Sequence, residues 1–270
     1  MSTYVNGLVR SLPSAWAEVD RLLEAAGEAE KQDPLLYSAL CRVITVLLVS
    51  QIEYFVKQIA DAYVGDVNSF STFADSPLAM KRTFCQPYLS GLSDKEKEVE
   101  SRTQLLIATF EALETRFVPS SFLKDGPEGT KNNNPSPSVI AKLCSNFGVK
   151  NVFGWFTESM LDSVFEDRIS EIDALLDDLN NHLLESTAEY PYKTDPSRFK
   201  ISAPKDQPGR GPSLWTDFLD DILRARHAIV HGSELTNRAS VHELRVVRKK
   251  ILVLQCGVLV VLCHHLTAVS

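Results

Sequence analysis

The stretch Arg226-His227-Ala228-Ile229-Val230-His231-Gly232 places a guanidinium five positions before an imidazole and ends on glycine. Arginine is always charged, and its planar fork grips phosphate. Histidine is the side chain best suited to move protons near neutral pH. Together they match what RNA cleavage needs without a metal, because RNA carries its own nucleophile, the 2′-hydroxyl. A base takes the 2′-OH proton, an acid protonates the leaving 5′-oxygen, and a cation stabilises the extra negative charge on the phosphorane. His231 suits the acid or base role, and Arg226 suits the cation. A single histidine does not conveniently make both proton transfers, which calls for His227 or a second copy of the motif from a symmetric partner.

Residues five apart on a helix differ by about 500° of rotation and about 7.5 Å of rise, so Arg226 and His231 lie about 140° apart and flank a shared surface. His227 and His231, four apart, share a face. Two histidines at that spacing are also a zinc geometry, but Ala228 stands where a glutamate would follow His227, and no third ligand is evident. The bland reading is that an arginine and a histidine at a helix end simply cap carbonyls. The five cysteines (Cys41, Cys85, Cys144, Cys256, Cys263) are scattered, with no C-x-x-C pair. They read as reduced core residues of a cytoplasmic protein. No metal and no cofactor are expected.

The elements that must position the motif are helical. Ser14 to Glu30 has apolar residues at helical spacing. Asp33-Pro34 is a start signal for a long central helix, expected to stop at Gly65. Its middle, Val43 to Val49, is apolar on every side. Ser93-Asp94 opens a further helix to about Phe117. Residues 138–147, 152–161 and 165–186 are also helical by spacing. Ser213 caps the motif helix, which should end at Gly232, and Thr236 or Ser240 caps a last helix to about Thr267. Residues 119–138 and 190–212 read as long loops, rich in proline, glycine and asparagine or in proline alone. The expected fold is an all-α helical bundle, one domain over 1–270, with an N-terminal helix in 1–33 and a core in 34–270. There is no signal peptide pattern, and the apolar run Ile251–Cys263 is too short to span a membrane, so no membrane partner is expected.

The formal charge of −7 argues against a protein that coats nucleic acid, though not against a local phosphate grip. Positive charge gathers after the motif, at Arg238, Arg245, Arg248, Lys249 and Lys250. This stripe reads as RNA backbone binding, or as a solvated face paired with Asp220 and Asp221. Glu53, on the apolar central helix, reads as a group that orients Arg226 or a histidine, or as a same-helix pair with Lys57. Loop 190–212 carries basic residues and aromatics. It could lay Tyr192 or Phe199 on RNA bases, or be a disordered insertion or an antitoxin-binding segment. His264-His265 reads as an exposed helix end, and His182 and His242 have no evident partner.

Arg226, His227 and His231 with the terminal Gly232 resemble the HEPN superfamily, whose hallmark is an arginine, four to six residues, then a histidine. The helix Leu47-Leu48-Val49-Ser50-Gln51-Ile52-Glu53-Tyr54-Phe55-Val56-Lys57 is similar to the family's central helix. The segment from Asn134-Pro135 to Phe147-Gly148-Val149 is similar to the bacterial RiboL-PSP type. The resemblance spans roughly Leu35 to Leu266. It implies a HEPN-like bundle that dimerises through the motif helices, with Arg226 and His231 of each protomer lining one cleft. It implies a metal-independent endoribonuclease of bacterial toxin–antitoxin or anti-phage defence type, with an antitoxin or defence protein as a further partner. Some members lack the motif and act as binding modules, so a non-catalytic interaction or regulatory subunit is the alternative. A metal-dependent hydrolase using His227 and His231 is a third reading.

Overall fold

The computed structural model describes residues 2–89, 96–123, 135–166, 169–204, 213–232 and 239–268. Among these residues there are eleven α-helices and no strand. In chain order they are α1 Tyr4–Ala15, α2 Ala17–Ala29, α3 Pro34–Phe70, α4 Leu78–Cys85, α5 Glu96–Ala112, α6 Ser120–Leu123, α7 Pro137–Asn146, α8 Val152–Phe156, α9 Ile169–Ser186, α10 Leu214–Val230 and α11 Val241–Ala268.

Helix α3 starts where its sequence dictates. The Asp33 carboxylate accepts from the backbone N–H of Leu35 and Leu36, and Pro34 fills the first position, where no N–H is needed. It does not stop at Gly65, as expected from the sequence, but runs on to Phe70. Gly65 is needed here for a close approach rather than a stop. A Cβ at this position would sit 3.1 Å from the ring of Tyr4. The next residue, Asp66, is fully buried and accepts from the N–H of Tyr4 at 2.7 Å, the N–H of Val5 at 2.9 Å and the hydroxyl of Tyr192 at 2.7 Å. Its negative charge sits at the N-terminus of α1, where the helix dipole favours it. One carboxylate thus ties α1, α3 and the segment after α9 together.

The N-terminal region is two helices, not one, because Tyr4–Ala15 also packs an apolar face of Val5, Leu8, Val9 and Leu12. Trp16, at the break between α1 and α2, is fully buried, and its indole N–H donates to Gln255 of α11 at 3.2 Å. Helix α11 is buried nearly all round from Ile251 to Cys263 and lies against α3 and α9. Helix α5 ends at Ala112, short of the expected Phe117, with Glu114 in the left-handed region. The expected start of this helix at Ser93-Asp94 lies outside the described residues.

Two expectations about loops are corrected. Within 119–138, the residues Ser120–Leu123 form α6 and Pro137 already begins α7, whose N-cap Ser136 accepts from Val139 N–H. Residues 124–134 lie outside the described residues. Within 190–212, Tyr192 and Phe199 are core residues, 4% and 0% exposed, so they are not free to stack on bases. Proline-rich sequence hid this, because a chain without helical period can still bury side chains one at a time. Residues 205–212 lie outside the described residues.

The five cysteines are free and buried, and burial pushes the thiols of Cys144 and Cys256 up to about 12. Helix α3 is long and apolar enough to cross a membrane by length and composition, and in the structure it is the helix on which α1, α2, α10 and α11 pack.

Replacing Asp66 by alanine would strand two backbone N–H groups and the Tyr192 hydroxyl. The expected loss is on the order of 3 kcal/mol or more in urea unfolding at neutral pH, since each buried donor left unpaired costs about 1–3 kcal/mol. A loss below about 1 kcal/mol would show that this carboxylate does not hold the three segments together.

Candidate functional site

The motif sits at the C-terminal end of α10. Ser213 opens this helix, its hydroxyl accepting from Thr216 N–H at 3.2 Å. Trp215, Leu219, Ile222 and Leu223 give it a buried face, and Arg226 continues that face half-exposed. The helix ends at Val230. His231 is the C-cap, its N–H donating to His227 O at 3.0 Å, and Gly232 takes φ +68°, a conformation that favours glycine. The expected stop at Gly232 is therefore the observed one.

His227 and His231 are exposed, with ring centroids 4.1 Å apart. Among the described residues, the side chains of Arg226, His227 and His231 hold no hydrogen bond or ion pair. A guanidinium and two imidazoles are thus presented to solvent from one helix end. They can bind an anion, and they can give and accept protons. Arg224, two residues before the motif, pairs with Asp221 at 2.7 Å on the same helix. Among the described residues, no group of three or more His, Cys, Asp and Glu side chains is placed to hold a metal ion.

Beside the motif, α3, α10 and the start of α11 enclose an open groove of about 590 Å³, lined by Leu48, Phe218, Ile222, Ala228, Ile229 and Val247 among others. The chain re-enters α11 through a capping box. The Glu243 carboxylate accepts from Ser240 N–H at 2.6 Å and from the Ser240 hydroxyl at 2.8 Å, which holds it below its ordinary pKa, and Ser240 Oγ in turn accepts from Glu243 N–H at 3.2 Å. Tyr37 of α3 accepts from Val241 N–H at 3.1 Å, which pins this turn beside the motif.

The other residues singled out from the sequence are placed as follows. Glu53 pairs with Lys57 at 3.0 Å, the same-helix alternative. Arg248 pairs with Asp20 at 2.7 Å and lies over the Trp16 ring, and Lys249 pairs with Asp173 at 2.7 Å. The partners of this stripe come from α2 and α9 rather than from Asp220 and Asp221. Arg245 is exposed and donates to Leu23 O at 3.4 Å. Arg238 lies outside the described residues.

Two histidine readings are corrected. His264 and His265 are half-buried, not exposed: His264 Nδ1 lies 3.2 Å from Thr194 O, and His265 packs against Gly148. His182 has a partner, accepting at Nε2 from Asp195 N–H at 3.1 Å. The turn that brings Asp195 to it is not visible as a spacing in the sequence.

A family model described as RiboL-PSP-HEPN matches residues 14–256. No curated protein and no solved structure matches the chain.

Buried His182 and half-buried His265 make stability depend on pH. Burial first, and then the Arg198 guanidinium, hold His182 below its ordinary value of 6.5, and burial does the same for His265. The unfolded chain binds these protons near that value while the folded chain resists them. Stability is therefore full above about pH 6.5 and falls as pH drops below it. His182→Gln keeps an acceptor for Asp195 N–H without a titrating group, so urea unfolding across pH 5 to 7 should show a shallower slope than the wild type. Equal slopes would exclude His182 as a source of the dependence.

Proposed function

The chain belongs to the RiboL-PSP-HEPN family, and from that premise we propose that it is a metal-independent endoribonuclease of toxin or anti-phage defence type. HEPN proteins are often ribonucleases, though some are non-catalytic. One observation carries the reading further for this chain. His227 and His231 stand together with ring centroids 4.1 Å apart, on the helix end that also carries the half-exposed Arg226, and among the described residues no other side chain engages the three.

In the proposed reaction Arg226 binds the scissile phosphate and stabilises the phosphorane. His231 takes the 2′-hydroxyl proton or gives one to the 5′-oxygen. The 2′-oxygen forms a bond to phosphorus as the bond to the 5′-oxygen breaks, leaving a 2′,3′-cyclic phosphate and a 5′-hydroxyl. The second proton transfer comes from a second motif, in a homodimer that faces the two helix ends across one cleft, with His227 positioning its neighbour. Of the basic residues after the motif, Arg238 and Arg245 are assigned to the RNA backbone. Arg248 and Lys249 carry structural ion pairs that an RNA phosphate would have to compete with. Glu53 supports the helix behind the site through its pair with Lys57. An antitoxin or defence protein completes the proposed setting.

Purified protein should cut single-stranded RNA in EDTA. Arg226→Ala and His231→Ala should each lower the rate by a factor of about 100 or more, the usual size of a lost general acid–base or charge-stabilising group. Their unfolding curves should stay close to the wild type, because both side chains lie outside the core. Wild-type rates in both variants would remove the motif from catalysis and favour a non-catalytic binding module. Activity only with added zinc would favour the metal-dependent reading.

A further inference from the structure

The groove beside the motif is walled by the helix that carries the motif. Ile222, Ala225, Ala228 and Ile229 of α10 line it, with Leu48 of α3 and Val247 of α11 opposite. Its volume of about 590 Å³ falls in the range of about 300–1,000 Å³ that small-ligand pockets occupy. Helical geometry fixes how it stands to the motif. Counted round α10 from Arg226, Ile229 and Ala225 lie about 60° and about 100° to one side, and His227 and His231 lie about 100° and about 140° to the other. A phosphate held by Arg226 therefore has the imidazoles on one side and the groove on the other. The walls are apolar, but the rim is charged. Asp221 and Arg224, both exposed and paired at 2.7 Å, line it, as does Lys250, whose ammonium lies 5.8 Å from the Phe218 ring centroid.

We infer that this groove takes a guanine of the RNA strand, next to the scissile phosphate. The flat, weakly polar faces of a base suit walls of alanine, valine, leucine and isoleucine. The rim selects which base. A carboxylate accepts two N–H bonds side by side, and a neighbouring guanidinium donates to a carbonyl oxygen. Guanine is the one RNA base whose Watson–Crick edge presents two adjacent N–H donors, N1–H and the N2 amino group, followed by an acceptor, O6. Asp221 accepts from the first two and Arg224 donates to the third, while Lys250 adds positive potential for the strand's phosphates. Adenine and cytosine would set a ring-nitrogen lone pair against the Asp221 carboxylate, and uracil a carbonyl oxygen, so the same group that accepts guanine repels the others. The inference rests on the ribonuclease reading for the phosphate at Arg226, and goes beyond it in naming the base and the residues that choose it.

The test measures binding apart from cutting. The full chain carrying His231→Ala keeps Arg226 and is titrated into fluorescently labelled uridine hexamers that hold one central guanosine or one central adenosine. Anisotropy should show the guanosine strand bound about tenfold tighter or more, the size of a good bidentate base contact. Inosine at that place, which lacks the N2 amino group, should lose most of the gain. Asp221→Asn replaces one acceptor oxygen by a donor and should abolish the preference. Ala225→Trp fills the groove from an exposed position, so it should weaken binding of the guanosine strand while circular dichroism and the unfolding curve stay the same. Equal or absent binding of the two strands, a preference that survives Asp221→Asn, or full binding by a folded Ala225→Trp protein would each overturn the inference. Cutting by the wild type at bonds with no guanosine beside them would also overturn it and leave the ribonuclease reading standing. Guanosine-selective binding by a chain that cuts no RNA would support the groove and remove the ribonuclease reading instead.

Discussion

A 37-residue helix with apolar side chains around its whole middle is the constraint on which the rest of the molecule is arranged. Such a helix cannot stand alone in water, because exposing it would forfeit the burial that drives folding. The chain answers by packing α1, α2, α10 and α11 against it, and fixes the assembly with a few buried polar contacts. Asp66 holds α1 and Tyr192, Tyr63 donates to Leu259 O of α11 at 3.2 Å, and Tyr37 holds the start of α11. These bonds are directional where the apolar contacts are not, so they set the register in which the helices pack.

That arrangement explains why the motif is presented as it is. α10 buries Trp215, Leu219 and Ile222 against the bundle, which leaves its last turn projecting. Glycine at 232 then breaks the helix, so His231 stands at the edge rather than in the middle of a helix face. The basic start of α11 is anchored at the same time. Arg248 and Lys249 reach α2 and α9, and Lys250 lies over the rings of Phe165 and Phe218. The positive charge at the start of α11 is thereby largely tied into structure, and of these residues only Lys250 lines the groove beside α10.

The sequence made the helices legible where period and capping agreed. Asp33-Pro34, Ser213 and Ser240 each cap the helix that their spacing announces. Gly232 ends α10 because nothing else at that place contradicts it, whereas Gly65 lies within a helix because Tyr4 needs its missing side chain. A glycine alone does not reveal which of the two it is. Arg226, His227 and His231 are legible as a candidate site because one helix carries them all, so spacing alone fixes their relation. The fate of Arg248, Lys249, His182 and Tyr192 was not readable, since their partners lie tens to hundreds of positions away and only the packed fold brings them near. Segment 190–204 was hidden for the same reason: its aromatics are buried by tertiary contacts and not by any repeating pattern.

In the proposed reaction the motif cuts RNA by using the substrate's own 2′-hydroxyl. The most direct measurement takes an RNA cut by the purified protein in EDTA, maps the cleaved bond, and replaces the ribose on its 5′ side with deoxyribose. The account predicts that the all-ribose strand ends in a 2′,3′-cyclic phosphate and that the single deoxy substitution stops cleavage at that bond. Continued cleavage of the deoxy strand, or a 5′-phosphate on the downstream product, would contradict it.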